Sequence, residues 1–75
     1  SNKQMIRAKQ TSSEIVIDLT GPQGNAFFLL GTAKNLANQL DLDANAIMEE
    51  MKSSDYENLI TVFDKYFGNL VILER

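Results

Sequence analysis

One segment of this chain combines residue types that could bind an anion, and it lies between a strand-like run and a helix-like run. Two glycines and a proline fall within residues 21–24, directly before an asparagine. A helix N-terminus leaves backbone N–H groups free to bind a phosphate or another anion. The candidate ligand-binding residues of this junction (residues 20–25) are Thr20, Gly21, Gln23, Gly24 and Asn25.

The spacing within the junction matches no nucleotide-binding fingerprint. No lysine and hydroxyl residue follow Gly24 as a P-loop requires, and the glycines do not form G-x-G-x-x-G. A tight, capped turn accounts for the same residues, because glycine supplies a positive φ or permits close packing. An anion cradle and a structural turn therefore remain two open interpretations.

The residue types that are missing exclude several chemistries. The 75 residues include no histidine and no cysteine, which removes the commonest general base, the commonest zinc ligand and every thiolate. We expect a protein that is not an enzyme and that binds no metal or cofactor. No apolar run approaches the roughly 18–20 residues that span a bilayer, so no membrane association is expected.

Acidic residues near the middle of the chain could suggest calcium. Asp41, Asp43 and Asn45 have a suitable spacing, but an EF-hand loop starting at residue 41 would need glycine where Ala46 stands and glutamate where Lys52 stands. Capping of a helix by Asp43 is the better explanation.

Two other acidic features have ordinary explanations. Glu49, Glu50 and Asp55 could be imagined as a general acid and base, but nothing nearby supplies a nucleophile or an oxyanion donor, and helix propensity explains them.

Residues 41–64 hold seven acids against one lysine, a local balance of −6. The first ten residues carry three cations, which is too little for the basic stripe of a nucleic-acid binder.

The elements that position the junction follow from apolar spacing. Residues 14–19 alternate with a period of two, which predicts a strand. Helix one begins either after Thr20, through a T-x-x-Q capping box with Gln23, or after Asn25 as cap, and it ends near Leu40. Gly31 inside this helix predicts close approach by another element. The predicted buried stripe comprises Ala26, Phe27, Leu29, Leu30, Ala33, Leu36, Ala37 and Leu40.

Two further helices and a strand complete the chain. Helix two covers residues 44–52, and helix three begins with an S-x-x-E capping box headed by Ser54 and ends before Gly68. Residues 70–73 are four consecutive apolar residues, typical of a strand. The aromatic residues are expected in the core, except Phe28, which lies off the main stripe and is a candidate interface residue.

The predicted fold is a small α+β domain over residues 14–75, in β-α-α-α-β order, with a two- or three-stranded sheet covered on one face by three helices. Residues 1–13 are predicted to form a polar arm or an edge strand. The uncovered face carries Val16 with either Val71 and Leu73 or Leu70 and Ile72. Such an apolar patch predicts a homodimer with Val16, Phe28, Val71 and Leu73 at the interface, unless the N-terminal arm covers it.

The segment Asp18-Leu19-Thr20-Gly21-Pro22-Gln23-Gly24-Asn25-Ala26, together with Ser54-Asp55-Tyr56 and Phe67-Gly68, resembles a group of small uncharacterised proteins encoded by bacteriophages and other mobile elements. The resemblance implies a genetic setting, in the cytoplasm of a bacterial host, and no catalytic role. Two functional hypotheses follow: a dimeric interaction module that binds a macromolecule, and a binder of a small anionic ligand or nucleotide at the junction.

Overall fold

A computed structural model describes residues 15–75 of the chain, and the predicted arm or edge strand over residues 1–13 lies outside this part. The elements follow the predicted order of strand, three helices and strand. They are β1 (Ile15–Asp18), a 3₁₀ turn (Pro22–Gly24), α1 (Ala26–Gln39), α2 (Ala44–Met51), α3 (Tyr56–Phe67) and β2 (Val71–Glu74).

The two strands pair with each other in parallel, with Val16 opposite Ile72 and Ile17 opposite Leu73. The backbone N–H of Leu19 extends the ladder by donating to the carbonyl oxygen of Glu74 at 2.7 Å. Parallel strands cannot be joined by a tight turn and need a long crossover, which here consists of the three helices. The α+β fold predicted from the sequence is therefore confirmed.

The first helix ends in a Schellman motif that has an aspartate where glycine is usual. Leu42 N–H donates to Ala37 O at 2.8 Å and Asp41 N–H donates to Asn38 O at 3.3 Å, which are the two bonds of this motif. Asp41 adopts a φ of 62°, in the left-handed region. The turn that leads from α1 into α2 therefore stores a small conformational cost.

Aspartate caps begin the other two helices. The carboxylate of Asp43 accepts from Ala46 N–H at 3.1 Å, as predicted for α2. At α3 the cap is Asp55, which accepts from Asn58 N–H at 2.9 Å, and not Ser54. The prediction was one residue early because Asp55 is at least as good a cap as serine.

Side-chain contacts join α2 to α3. The amide nitrogen of Asn58 donates to Glu50 O at 3.1 Å, which satisfies a carbonyl group at the C-terminus of α2. The carboxylate of Glu50 accepts from Lys65 Nζ at 2.8 Å and from Tyr66 Oη at 2.7 Å. These contacts hold α2 in position against α3.

The core lies between the helices and the inner face of the sheet. Phe63 and Phe67 on α3 are fully buried and meet edge to face, with ring centroids 5.2 Å apart. Ile17 and Val71 bring the sheet into the same cluster. The remaining buried residues are Leu29, Ala33, Ala37, Ile47, Met51, Leu59, Ile60 and Val62.

Candidate functional site

The junction between β1 and α1 contains a 3₁₀ turn, and α1 begins only after it. Gly24 N–H donates to Gly21 O at 3.0 Å, and Asn25 then returns to extended backbone, with φ −82° and ψ 156°. The side chain of Asn25 accepts from Phe28 N–H at 2.7 Å, so Asn25 is the cap. The prediction of a capping box that links Thr20 to Gln23 is wrong, because the extended residue separates the turn from the helix.

Thr20 binds the carboxylate that ends β1. Its N–H and its hydroxyl both donate to Asp18 Oδ1, at 2.9 Å and 2.6 Å. The bond from the hydroxyl and then the bond from the N–H lower the pKa of Asp18 below its ordinary value. Gly21 N–H donates to the main-chain oxygen of Asp18 at 3.0 Å. The anion in this turn is thus a side chain of the protein itself.

These contacts engage most donors of the proposed anion cradle. The N–H groups of Thr20, Gly21 and Gly24 donate within the junction, and the side-chain amide of Asn25 donates to Pro22 O at 2.8 Å. Gln23 is exposed. An external phosphate approaching this turn would meet the ionised Asp18, which opposes binding. The geometry favours the structural interpretation of the junction.

Gly24 packs closely against the backbone of Leu19, just before the junction. A β-carbon at this position would lie 2.7 Å from Leu19 Cα and nearer still to the Leu19 carbonyl group. The hydroxyl of Tyr56 donates to Gly24 O and joins the start of α3 to the turn. Among residues 15–75 no glycine has a positive φ, so close packing, and not backbone handedness, is what requires glycine here.

The outer face of the sheet is the first exposed apolar surface. Side chains paired across parallel strands share a face, so Val16 and Ile72 point away from the helices and are 45% and 41% exposed. Leu70 beside them is also exposed. Val71 is 1% exposed and Leu73 is half-buried, so the predicted placement of both at an exposed interface is corrected. Of the two predicted arrangements, the structure has the one with Leu70 and Ile72.

The outer side of α1 is the second exposed apolar surface. Phe27 is 87% exposed, and the neighbouring Phe28 is also exposed, as predicted for that residue. The expectation that Phe27 lies in the core is wrong. Leu29, Ala33 and Ala37 form the centre of the buried side, and Phe27 lies well over a quarter-turn away from them around the helix axis. Counting helical angles from this centre would have identified Phe27.

Gly31 lies on the same exposed side of α1. No heavy atom of the described neighbours lies within 4 Å of the position that a β-carbon would take. The prediction that another element of the chain packs against it is therefore wrong within residues 15–75. Glycine inside a helix costs about 1 kcal/mol relative to alanine, and these residues give no packing reason for it.

A surface pocket of about 270 Å³ opens beside the start of α1. Two of its walls come from α1 and from the start of α3, and the third comes from the end of α2. Most of the lining is apolar, with one cation and one carboxylate among the polar groups. The lining residues are Ala26, Leu30, Met51, Lys52, Ser54, Asp55, Tyr56 and Leu59.

A second pocket, of about 310 Å³, lies at the carboxyl ends of the strands and is lined by polar and apolar groups that include Asp64 and Arg75. Arg75 binds Glu57 through two hydrogen bonds of 2.7 Å and 2.9 Å, which raise the pKa of the guanidinium and lower that of the carboxyl. The cation beside this pocket is thus largely neutralised.

Several acidic residues have structural partners. Asp43 and Asp55 cap helices, and Glu50 binds Lys65 and Tyr66, which lower its pKa in that order. Within the part of the chain that the structure describes, no group of three or more acidic side chains is arranged to hold a metal ion. The helices between residues 26 and 67 include none with the length and apolar character needed to cross a membrane.

Comparison of the chain with family models, curated proteins and solved structures finds no match.

Proposed function

We propose that this chain is a non-enzymatic interaction module that acts as a homodimer and binds a macromolecular partner. The observation that carries the proposal is the outer face of the sheet. Parallel sheets are normally covered on both faces, whereas among residues 15–75 no element covers Val16 and Ile72, which lie side by side with Leu70 next to them. Contiguous exposed apolar side chains of this kind are typical of surfaces that bind another molecule.

The chemistry of the polar residues supports an interaction role over catalysis. The chain has no histidine or cysteine, and its carboxylates at positions 43, 50 and 55 are engaged as caps or in ion pairs. A general acid or base must be free to reach a substrate, and a nucleophile needs an adjacent base. Recognition by apolar surface requires neither.

The resemblance of residues 18–26 to phage and mobile-element proteins supports a bacterial host as the setting, and with it the cytoplasm as the compartment. In that setting the partner is a macromolecule of the host or of the mobile element. The acidic residues of α2 and α3 would favour a partner that also carries basic residues, because charge complementarity directs association.

The sheet face can be tested by replacing Val16 and Ile72 together with threonine, which keeps β-branched geometry and removes apolar surface. Immobilised wild-type protein is expected to retain a bacterial protein that the double variant does not retain. Asn35→Ala, at an exposed polar position on α1, is the matched control and should behave as wild type. Equal retention by wild type and the double variant would contradict the use of this face.

A second measurement separates the proposal from small-ligand binding. A ligand that binds only the folded state raises the melting temperature. We expect no rise with phosphate, nucleotides or cyclic nucleotides. A concentration-dependent rise with any of them, abolished by Asn25→Ala, would contradict an exclusively macromolecular role.

A further inference from the structure

An exposed aromatic side chain and an apolar pocket lie next to each other at the start of α1. Phe27 is almost fully exposed, and Ala26, the residue before it, forms part of the pocket wall. Leu30 lines the same pocket, and Gly31 follows it on the exposed side. Since successive helical residues are about 100° apart, Phe27 and Gly31 form a row beside the row of Ala26 and Leu30.

This neighbouring arrangement is self-complementary. In a two-fold symmetric contact, any projection of one copy that meets a recess of the other is matched by the reverse contact. When the projection and the recess lie side by side, a single two-fold axis can place the projection of each copy in the recess of the other. Phe27 of each copy can then enter the other copy's pocket, where the partly exposed side chains of Leu30 and Tyr56 provide apolar contact.

The charged residues beside the pocket are compatible with a second copy of the chain as its occupant. Lys52 and Asp55 are both pocket residues, so a two-fold axis can bring each lysine towards the partner's aspartate. Lys52 also pairs with Glu49 at 3.4 Å, but this surface pair is exposed and weak. Lys34 is the single charged residue of α1. Two chains of net charge −3 can therefore approach through α1 with little repulsion between acidic groups.

Gly31 is a separate indication that a second molecule packs on this side of α1. Its position is open among residues 15–75, and it lies one turn after Phe27. A glycine on a helix surface lets another backbone or a ring approach closely. A second copy packed on α1 would account for a residue that packing within the described chain does not explain.

We infer that two copies of this chain associate by exchanging Phe27, each side chain filling the partner's pocket between α1 and the start of α3. The inference rests on the homodimer in the proposed function and assigns the dimer contact to α1, which leaves the sheet face for the partner. A buried aromatic side chain removes roughly 150–250 Å² from water. A stable interface buries about 800 Å² per copy, so the contact extends over Phe28 and the exposed side of α1.

Two variants on the exposed side of α1 test the exchange. Phe27→Ala removes the inserted side chain and should weaken dimerisation at least about 100-fold, because each dimer loses two central aromatic anchors. Gly31→Gln should raise monomer stability through helix propensity and yet weaken dimerisation at least about 10-fold by blocking close approach. Dissociation constants come from sedimentation equilibrium, and circular dichroism confirms that each variant is folded.

Leu40→Ala is the matched control, since Leu40 is an exposed apolar residue at the other end of the same helix. It should leave the dissociation constant within about 3-fold of wild type. Dimerisation that is unchanged by Phe27→Ala and Gly31→Gln would overturn the exchange. If Val16→Thr with Ile72→Thr abolishes the dimer instead, the homodimer stands and the α1 contact is wrong.

Isotope-filtered NMR on a mixture of labelled and unlabelled wild-type chains gives the contact directly, without a substitution. Cross-chain contacts are expected between the ring protons of Phe27 and the side-chain protons of Ala26, Leu30 and Tyr56. Cross-chain contacts confined to Val16 and Ile72 would overturn the exchange. A wild-type chain that is still monomeric at about 100 μM would overturn both this inference and the homodimer on which it rests.

Discussion

The carbonyl group of Leu19 occupies the space that a β-carbon on residue 24 would need, so Gly24 packs directly against the backbone that ends the first strand. This contact determines how tightly the chain turns before α1. Since α1 presents both Phe27 and one wall of the neighbouring pocket, the close packing at Gly24 also positions the proposed dimer surface.

Substituting this glycine should be costly. Gly24→Ala is expected to lower the free energy of unfolding by about 1–3 kcal/mol, because the added methyl group must displace backbone atoms. Urea unfolding followed by circular dichroism measures the change. Gly21→Ala is the matched control: its β-carbon would be 3.6 Å from Asp18 O, an ordinary contact, so a change within about 0.5 kcal/mol is expected. Equal losses in the two variants would refute the packing explanation.

The hydrogen bond from the Tyr56 hydroxyl to Gly24 O joins the start of α3 to the junction. Tyr56→Phe keeps the ring and removes the bond, so we expect a loss of about 0.5–1.5 kcal/mol in the free energy of unfolding. The hydrogen-bonded amide protons of Gly21 and Gly24 should exchange faster with solvent in this variant. Unchanged stability together with unchanged exchange would show that the bond does not support the turn.

Asp41 offers a stabilising substitution. Its left-handed backbone costs an L-residue roughly 1 kcal/mol that glycine does not incur. Asp41→Gly should therefore raise the free energy of unfolding by about 0.5–1 kcal/mol, whereas Asp41→Ala should not raise it. Thermal unfolding of the two variants side by side gives the comparison, and a melting temperature that falls with glycine would contradict the account.

Carboxylates with lowered pKa should make the protein sensitive to acid. Bonds from Lys65 and then from Tyr66 lower the pKa of Glu50 below its ordinary value, and bonds from Thr20 do the same for the pKa of Asp18. A group with a lower pKa in the folded state stabilises fully above its ordinary pKa, and this contribution disappears as the pH falls through the folded-state value. The free energy of unfolding should fall as the pH drops below about 5.

Glu50→Gln isolates one of these groups. The variant should be less stable than wild type at pH 7, and the difference should shrink as the pH falls through the range in which Glu50 becomes protonated, because wild type then loses the same ionic contacts. Urea unfolding at a series of pH values measures this. A difference that stays constant down to about pH 3 would show that the charge of Glu50 does not matter.

The sequence was sufficient to predict the element order, because alternation in β1 and the apolar spacing of α3 are strong local signals. It was less informative about helix starts. Thr20 and Asn25 are both good caps by residue type, and only the extended backbone at Asn25 decides between them. At α3, Ser54 and Asp55 compete in the same way, and the aspartate is the cap.

The candidate site was predicted in part. The junction was identified from its glycines and proline, but sequence could not show that Thr20 is engaged by Asp18, because two hydrogen bonds to one carboxylate depend on the conformation of the turn. The exposed sheet residues depended on strand register, which pairs Val16 with Ile72. The exposure of Phe27 was missed because the predicted apolar stripe was drawn too wide.

The most direct test of the central claim is the mass of the wild-type protein by sedimentation equilibrium over roughly 1–100 μM, a range that spans moderate affinities. We predict a mass that approaches twice the 8.4 kDa of one chain at the upper concentrations and falls towards a single chain on dilution. A mass of one chain across the whole concentration range would contradict the claim that the protein acts as a homodimer.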